Sequence, residues 1–208
     1  MRVIAGKYKS RKLSAPPGTE TRPTSDRLRE TLFNVVAPAI ENSVWLDLFA
    51  GTGAIGIEAL SRGARMVHFV ESLRKASRTL RDNLESLGID SGYELHERDV
   101  SAALRLLGAQ AVRCDFCFLD PPYRKMGDYE QTISFIAESD LLAPGGVVIA
   151  EHDKHFDPGE RFGRLYRRRK LGQGDAVLSF YAPESPREGR DEAVLAVPEG
   201  LGGKISSI

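Results

Sequence analysis

The chain has 208 residues, of which 41% are hydrophobic and 28% charged, and its formal net charge is zero. These values are ordinary for a globular protein with one core and a small appendage. The sequence has no apolar run of about 18 residues, which excludes a predicted transmembrane helix, and its N-terminus lacks the apolar core of a signal peptide. We therefore expect a cytoplasmic protein.

The charge is unevenly distributed along the chain. Residues 1–30 carry eight basic and three acidic residues, and residues 161–170 carry six basic and no acidic residues. Two basic segments on an acidic body indicate a positive surface for a polyanion. Two solvated surface strands would give the same pattern, so charge alone leaves both interpretations open.

The first 40 residues form a predicted N-terminal unit. Residues 1–20 are basic and turn-rich and are typical of a small hairpin or arm. A helix should follow, capped by Thr24 or Ser25 and ended by Pro38. Its apolar residues recur at helical spacing: Leu28, Leu32, Phe33 and Val36.

From Val44 onward, strand-like and helix-like segments alternate. Strands are predicted at 44–49, 66–71, 93–97, 115–120 and 145–152, with helices between them at 54–63, 74–88, 101–108 and 129–142. Two further strands, at 162–170 and 176–182, read as an antiparallel pair. The pattern predicts an α/β, Rossmann-like fold of seven strands, mostly parallel, with an antiparallel edge hairpin. Residues 41–183 would form this domain, and residues 184–208 a flexible tail.

The cysteines and histidines predict no metal site. Cys114 and Cys117 lie in an apolar run typical of a buried strand, so core cysteines are a better interpretation than a redox pair or half a zinc site. His152 and His155 lie in a polar stretch without a further ligand cluster, which favours a solvated loop.

A glycine-rich turn follows the first strand. Gly51, Gly53 and Gly56 match the spacing G-x-G-x-x-G at the start of a helix. This pattern alone is weak, because dinucleotide sites and S-adenosylmethionine sites share it. In both, backbone without side chains approaches the ligand and the helix N-terminus offers unpaired N–H groups.

Three acidic residues at successive strand ends favour S-adenosylmethionine. Asp47 could attract its ammonium group, whereas a carboxylate there would repel a pyrophosphate. Glu71 could accept hydrogen bonds from both ribose hydroxyls. Asp99 could accept from the adenine amine, with the Val100 N–H available to the ring. Each acid could instead be a helix cap or a solvated side chain, but three in succession favour a cofactor site.

The fourth parallel strand ends in Asp120-Pro121-Pro122-Tyr123. Two prolines fix the backbone and remove two N–H donors, so this turn can only accept hydrogen bonds. The exocyclic amine of a base has two N–H groups, which Asp120 and the Pro121 carbonyl could hold. Tyr123 offers a ring on which a flipped or unpaired base could stack. A purely structural turn is the alternative interpretation.

These residues carry a resemblance to a known family. FAGTG together with DPPY resembles the amino-methyltransferases among the S-adenosylmethionine enzymes. GKYKSRKLSAPPGTETRPTSDRLRETLFN followed by LDLFAGTGAIGIEALSRGA resembles the bacterial RsmD family over roughly residues 2–182. The resemblance implies methylation of a guanine N2 amine in small-subunit ribosomal RNA, without a metal. Its implied S-adenosylmethionine contacts are Asp47, Phe49, Ala50, Gly51, Thr52, Gly53, Glu71, Ser72, Asp99 and Val100.

The expected partner is ribosomal RNA or an assembling small subunit, and the protein is expected to be a monomer. The predicted RNA contacts combine the N-terminal arm, the start of the first helix and the late basic strand: Arg2, Lys7, Lys9, Arg11, Lys12, Arg22, Thr24, Arg27, Arg167, Arg168 and Arg169. In a regular strand, Arg167 and Arg169 would share one face and Arg168 would take the other.

Three alternatives remain open. A methyltransferase acting on another RNA, or on adenine or cytosine in DNA, would use the same Asp-Pro-Pro-Tyr turn, although DNA enzymes usually carry a separate recognition region. A non-catalytic S-adenosylmethionine-binding factor for rRNA assembly would not need that turn. A dehydrogenase is a weaker alternative, excluded if the protein fails to bind NAD.

Overall fold

The computed structural model of the chain describes residues 1–15, 25–122 and 127–184. Five helices have the bounds α1 Asp26–Val36, α2 Ala54–Ser61, α3 Arg74–Leu87, α4 Val100–Ala109 and α5 Gly127–Glu138. Eight strands have the bounds β1 Val44–Leu48, β2 Met66–Val70, β3 Tyr93–His96, β4 Cys114–Leu119, β5 Leu142–Asp153, β6 Arg161–Phe162, β7 Leu165–Gln173 and β8 Ala176–Pro183. No helix among the described residues is both long and apolar enough to cross a membrane.

The strands form one sheet in the order β3-β2-β1-β4-β5-β8-β7-β6. Strands β1 to β5 are parallel, and β8, β7 and β6 add to the β5 side as antiparallel strands. This confirms the predicted Rossmann-like α/β fold with an antiparallel edge. The strand order reverses between β1 and β4, and ligands of such sheets bind beyond the carboxyl ends of the strands at this switch point.

Two hydrophobic clusters cover the two faces of the sheet. One contains the apolar sides of α1, α2 and α3 packed on Trp45 and Phe69, and the other contains those of α4 and α5 packed on Leu48 and Leu119. The predicted core cysteines Cys114 and Cys117 are buried and unpaired, as expected. Because both faces are covered, the carboxyl ends of the parallel strands are left as the place for a site.

The helix boundaries follow the residues that the sequence singles out. The Ser25 side chain caps α1 by accepting a hydrogen bond from the Leu28 N–H at 3.1 Å, which decides between the two predicted caps. A 3₁₀ turn over Ala37–Ala39, with Pro38 at its centre, then ends the helical segment. Gly88 closes α3 in the left-handed conformation, as its position predicts.

The N-terminal arm, defined here as residues 1–15, folds back on itself and docks onto α2. Backbone hydrogen bonds join Val3 to Arg11 and Leu13 to Met1, which confirms the predicted hairpin. The buried Glu58 carboxylate accepts the Ile4 and Ala5 N–H groups at 2.7 and 3.0 Å. The arm therefore shares a core with the sheet, since its Val3 and Leu13 side chains belong to the same cluster as Trp45.

The late antiparallel pair differs from its prediction in two ways. The expected strand at 162–170 is divided by Gly163 and Arg164 into β6 and β7, so the sheet has eight strands, seven of them predicted. In β7, Arg167 is paired with Tyr181 and Arg169 with Phe180, so the strand bulges at Arg168. Directly paired residues share a face and successive residues alternate. Arg167 and Arg169 therefore lie on opposite faces, and the prediction that they share one is wrong.

One of the two histidines predicted in a solvated loop is buried instead. His152 lies in β5, where its Nδ1 is 2.9 Å from the Asp153 carbonyl and its Nε2 is 2.9 Å from Ser179 Oγ. The longer β5 carries it into the sheet beside β8. His155 is exposed in the following turn, as expected.

Candidate functional site

The turn between β1 and α2 has backbone angles that few side chains tolerate. Phe49, Gly51 and Gly53 all have positive φ, at 59°, 56° and 77°. A non-glycine residue in this region is uncommon and strained, and such residues concentrate at functional sites. Gly56 serves packing instead, because a Cβ there would lie 2.2 Å from the Phe69 ring. The glycine spacing thus shapes an open turn and brings α2 against β2.

Asp47 lies beneath this turn. Its side chain is nearly inaccessible, with the residue 2% exposed, and Oδ2 accepts the Gly56 N–H at 2.9 Å. Burial raises the pKa of Asp47 to about 8, and the neighbouring Glu71 charge acts in the same direction. A carboxyl held at the start of α2 in this way adjusts its protonation to any cation bound above it.

Glu71, at the end of β2, is fixed by two backbone donors. Oε2 accepts the Gly51 N–H at 2.9 Å and Oε1 accepts the Leu73 N–H at 2.7 Å. Each carboxylate oxygen has a second lone pair available for a ligand. Glu71 therefore ties the glycine turn to the chain that follows β2, where Ser72 is exposed.

Leu73 is a site residue that the sequence reasoning missed. It is 65% exposed, and no other large hydrophobic residue in the described part of the chain is exposed to this degree. An apolar side chain kept in water beside Glu71 offers a flat contact for a ring. The signal in the sequence was a leucine at a strand-to-helix turn, which does not by itself indicate exposure.

A cavity of about 210 Å³ lies between α4 and α5, beside the glycine turn. The rings of Phe49 and Phe135 line it, together with Asp99, Val100 and Ser101. Asp99 caps α4 by accepting from the Ser101 N–H at 2.8 Å, so the Asp99 carboxylate and the first N–H groups of α4 border the same space. Aromatic walls with a few polar groups are typical of a purine pocket.

The other predicted cofactor residues complete the turn. The Ala50 N–H donates to the Val70 carbonyl at 3.0 Å, which holds the turn against β2. The Thr52 carbonyl accepts from Asn83 Nδ2 at 3.0 Å, and Asn83 Oδ1 in turn accepts the Ser14 N–H at 2.8 Å. The arm is therefore linked to the cofactor turn through one buried asparagine.

The Asp-Pro-Pro turn follows β4 directly. Leu119 is paired with Leu48, so Asp120 lies at the same edge of the sheet as Phe49. Pro121 is buried and Pro122 exposed, and Tyr123 lies outside the described residues. Burial raises the pKa of Asp120 well above its usual value, and the charges of Glu151 and Asp47 raise it further.

Glu151 is the second residue that the sequence reasoning missed. Because Ala150 of β5 is paired with Leu119 of β4, Glu151 lies beside Asp120. It is buried within a segment that reads as an ordinary core strand, so only the register shows that two carboxyl groups meet. Asp47, Asp120 and Glu151 thus form an acidic group across β1, β4 and β5.

The predicted RNA residues fall into two surroundings. The arm residues Arg2, Lys7, Lys9, Arg11 and Lys12 are all exposed. Arg27 is exposed one turn before Thr31, whose Oγ1 is 3.2 Å from the Gln173 amide at the end of β7. Arg22 and Thr24 lie outside the described residues.

The late basic strand is less available than its sequence indicates. The Arg167 guanidinium is 11% exposed and donates to Asp157 and Glu160, with the Asp157 contact at 2.5 Å. Lys170 also contacts Asp157, at 3.1 Å. Arg168 is exposed at the bulge, and Arg169 is half-buried.

The residues at this edge fit S-adenosylmethionine better than a dinucleotide. Carboxylates of Asp47, Glu71 and Asp120 surround the turn, where a pyrophosphate would be repelled and an ammonium or sulfonium attracted. The aromatic cavity beside Asp99 suits an adenine. Fold and site together define the chain as an S-adenosylmethionine-dependent methyltransferase.

Comparison with known proteins gives the family. The family profile described as "Conserved hypothetical protein 95" matches residues 1–182. "Putative rRNA methyltransferase YlbH" of Bacillus subtilis is 37% identical over 181 residues, covering 87% of this chain and 98% of that protein. "Ribosomal RNA small subunit methyltransferase D" of Escherichia coli is 34% identical, covering 85% and 94%. A solved structure, "Putative methyltransferase yhhF from Escherichia coli", superposes with a TM-score of 0.76 at 31% identity, covering 89% and 98%.

The chain belongs to this family, which is the RsmD family that its sequence resembles. The match includes the arm, α1 and the whole sheet, so it covers every residue of the site described above.

Proposed function

We propose that the protein transfers a methyl group from S-adenosylmethionine to the exocyclic N2 amine of a guanine in small-subunit ribosomal RNA. The observation that carries the proposal is the acceptor-only turn at Asp120 and Pro121, one strand away from the glycine turn. Two relatives named as rRNA methyltransferases, one of them for the small subunit, support RNA as the substrate class.

The cofactor would be held by the first three strand ends. Glu71 would accept the ribose hydroxyls with the lone pairs that its backbone contacts leave unused. Leu73 and Phe49 would contact the adenine ring, and Asp99 would accept from its amine while the Val100 N–H faces the ring. Asp47 would balance the ammonium charge from beneath the turn. Bound S-adenosylmethionine supplies an electrophilic methyl group on its sulfonium sulfur.

The substrate amine would be held by acceptors alone. Asp120 and the Pro121 carbonyl would each take one N–H of the guanine amine, which directs the nitrogen lone pair towards the cofactor. The carboxyl of Asp120 would accept the proton released when the nitrogen is alkylated. Its raised pKa suits this role, because Glu151 and burial both favour the protonated form. Tyr123 would stack on the extruded base.

The RNA would lie along the exposed cations. Arg27 is at the edge where β5 ends and β8 begins, and Arg22 and Thr24 precede it by only a few residues. The arm residues extend the positive surface along α2 and α3, where Arg11 donates to the Ser86 carbonyl at 2.7 Å. The substrate would be an unpaired base in rRNA or in an assembling subunit, modified in the cytoplasm by a monomer.

The proposal is tested by offering substrates of each class with radiolabelled S-adenosylmethionine. Small ribosomal subunits that lack the modification, naked rRNA of the small subunit, large subunits and duplex DNA are compared, with the Asp120→Ala protein as the blank. We expect label in small-subunit RNA that the blank does not produce. Equal labelling of large subunits, or labelling of DNA only, would reject the proposed substrate.

A further inference from the structure

Three potential metal ligands converge at the outer edge of the sheet, away from the site described above. His68 of β2 is paired in register with Glu94 of the edge strand β3, and His96 follows Glu94 by two residues on the same face. Among the described residues, they form the one group of histidine, cysteine and acidic side chains whose donor atoms lie within 4.8 Å of one another.

The distances within this group match one face of a tetrahedral zinc site. His68 Nδ1 lies 3.3 Å from His96 Nε2 and 3.3 Å from Glu94 Oε2, and His96 Nε2 lies 3.6 Å from the same carboxylate oxygen. Ligand atoms about 2.0–2.1 Å from a tetrahedral zinc ion are separated by about 3.3–3.4 Å. All three separations are therefore close to those of bound ligands.

Hydrogen bonding among the three side chains satisfies them incompletely. Two neutral imidazole nitrogens and a carboxylate oxygen face one another, and one proton placed between any two of them leaves the third without a donor. Both histidines are buried, which disfavours a second proton on either ring. Arg98, near His96, adds a further positive charge that opposes an imidazolium, and it also opposes a bound cation in part. A divalent ion accepts all three lone pairs at once.

We infer that His68, Glu94 and His96 form a binding site for a divalent transition metal of the zinc class. Two nitrogen ligands and one carboxylate are the donor set of a three-ligand zinc site, and the 53% exposure of the Glu94 side chain leaves the fourth position open to water. The sequence analysis predicted no metal and considered only His152 and His155. These ligands come from two strands, and only their pairing brings them together.

Metal at this place would fasten the edge strand next to the cofactor site. His96 is paired with Val70, and its carbonyl accepts the Glu71 N–H at 3.1 Å. An ion bound to His68, Glu94 and His96 would hold β3 against β2 one residue before the proposed ribose ligand. The site is thus structural, and it stands apart from the methyl-transfer proposal.

The test is direct binding of zinc and cobalt to the full chain. The protein is purified without an affinity tag, stripped with a chelator and titrated with zinc in a calorimeter, and cobalt is used to record the visible bands of a tetrahedral site. We expect one zinc per chain. Saturating zinc should raise the unfolding temperature, by about 5–10 °C at a hundred times the dissociation constant.

Variants separate this site from adventitious binding. Glu94→Gln, at an exposed position, should weaken zinc binding at least about tenfold, and the double variant His68→Gln with His96→Gln should abolish it. Glu97→Gln and His155→Gln are the matched controls and should bind zinc as the unaltered protein does. The inference is rejected if the unaltered protein binds no zinc, or if Glu94→Gln binds it unchanged. Because these readouts do not involve methyl transfer, they stand or fall separately from the proposed function.

Discussion

The cofactor half and the transfer half of the candidate site both depend on carboxylates, but the two sets are held differently. In the cofactor half, Glu71 and Asp99 accept backbone N–H groups at 2.7–2.9 Å and are oriented before any ligand binds. In the transfer half, Asp120 lies beside Glu151, and their mutual repulsion together with burial raises the pKa of Asp120 well above its usual value.

The contrast indicates two ways of preparing a site. Hydrogen bonds to fixed N–H groups make the cofactor half rigid, so its carboxylates can recognise hydroxyls and amines without reorganisation. Crowded acids make the transfer half unfavourable to ionise until an amine or a cation arrives. The acceptor side is therefore tuned by its ligands, whereas the cofactor side is preformed. The following predictions test this difference, in order of decreasing effect.

The largest effect is expected at Asp120. Asp120→Ala should lower the rate of methyl transfer by about 10²–10³-fold or more, because the amine loses its main acceptor. Asp120→Asn keeps the shape and one acceptor oxygen, so we expect an intermediate loss. Single-turnover kinetics gives the rate, and calorimetry should show S-adenosylmethionine affinity within a few fold of normal. A loss of affinity as large as the loss of rate would assign Asp120 to the cofactor half instead.

The next effect is expected at Glu71. Glu71→Gln should weaken S-adenosylmethionine binding by about 1–3 kcal/mol, since it removes charge-assisted contacts to the ribose. Glu85→Gln, on the exposed side of α3, is the matched control and should leave the affinity unchanged. Calorimetric titration measures both variants. Normal affinity in Glu71→Gln would remove this residue from the cofactor site.

Cofactor affinity should also depend on pH through Asp47. Its pKa of about 8 means that the carboxyl is mostly protonated at pH 7 and mostly ionised at pH 9, and the cationic cofactor favours the ionised form. If ionisation is required, affinity should rise by about tenfold between these two pH values. Asp47→Asn keeps an acceptor for the Gly56 N–H and should flatten the dependence. A dependence that persists in Asp47→Asn would place the titrating group elsewhere.

The smallest effects concern the basic surface. Neutralising Lys7, Lys9, Arg11 and Lys12 should flatten the dependence of RNA affinity on salt concentration by somewhat under one unit of slope for each phosphate that the protein no longer neutralises. Arg168→Gln should act in the same direction. Arg167→Gln should change the slope less, because Arg167 is already paired with Asp157 and Glu160. Filter binding over a salt series measures this, and an Arg167 effect larger than that of Arg168 would contradict the assignment.

The sequence predicted the parts of the site that lie in continuous segments. Helix and strand alternation placed Asp47, Glu71, Asp99 and Asp120 at successive strand ends, and the sheet brings these ends to one edge. Such residues are predictable because the carboxyl ends of parallel strands meet whatever the detailed register.

The features that were missed depend on register or exposure. Glu151 meets Asp120 only through the pairing of β4 with β5, and His68 meets His96 only through the pairing of β2 with β3. The bulge at Arg168 reverses the face of every later residue of β7, which no periodicity of two could show. Exposure of Leu73 follows from the turn after β2.

The central claim is that the acceptor turn selects an exocyclic amine of guanine. Small-subunit RNA methylated by the purified protein is digested to nucleosides, and the methylated product is identified by chromatography and mass spectrometry against authentic isomers. We expect N2-methylguanosine as the sole labelled nucleoside, since Asp120 and the Pro121 carbonyl can hold two N–H donors. A methyl group on a ring nitrogen, on a ring carbon, on the ribose or on the amine of another base would contradict the account.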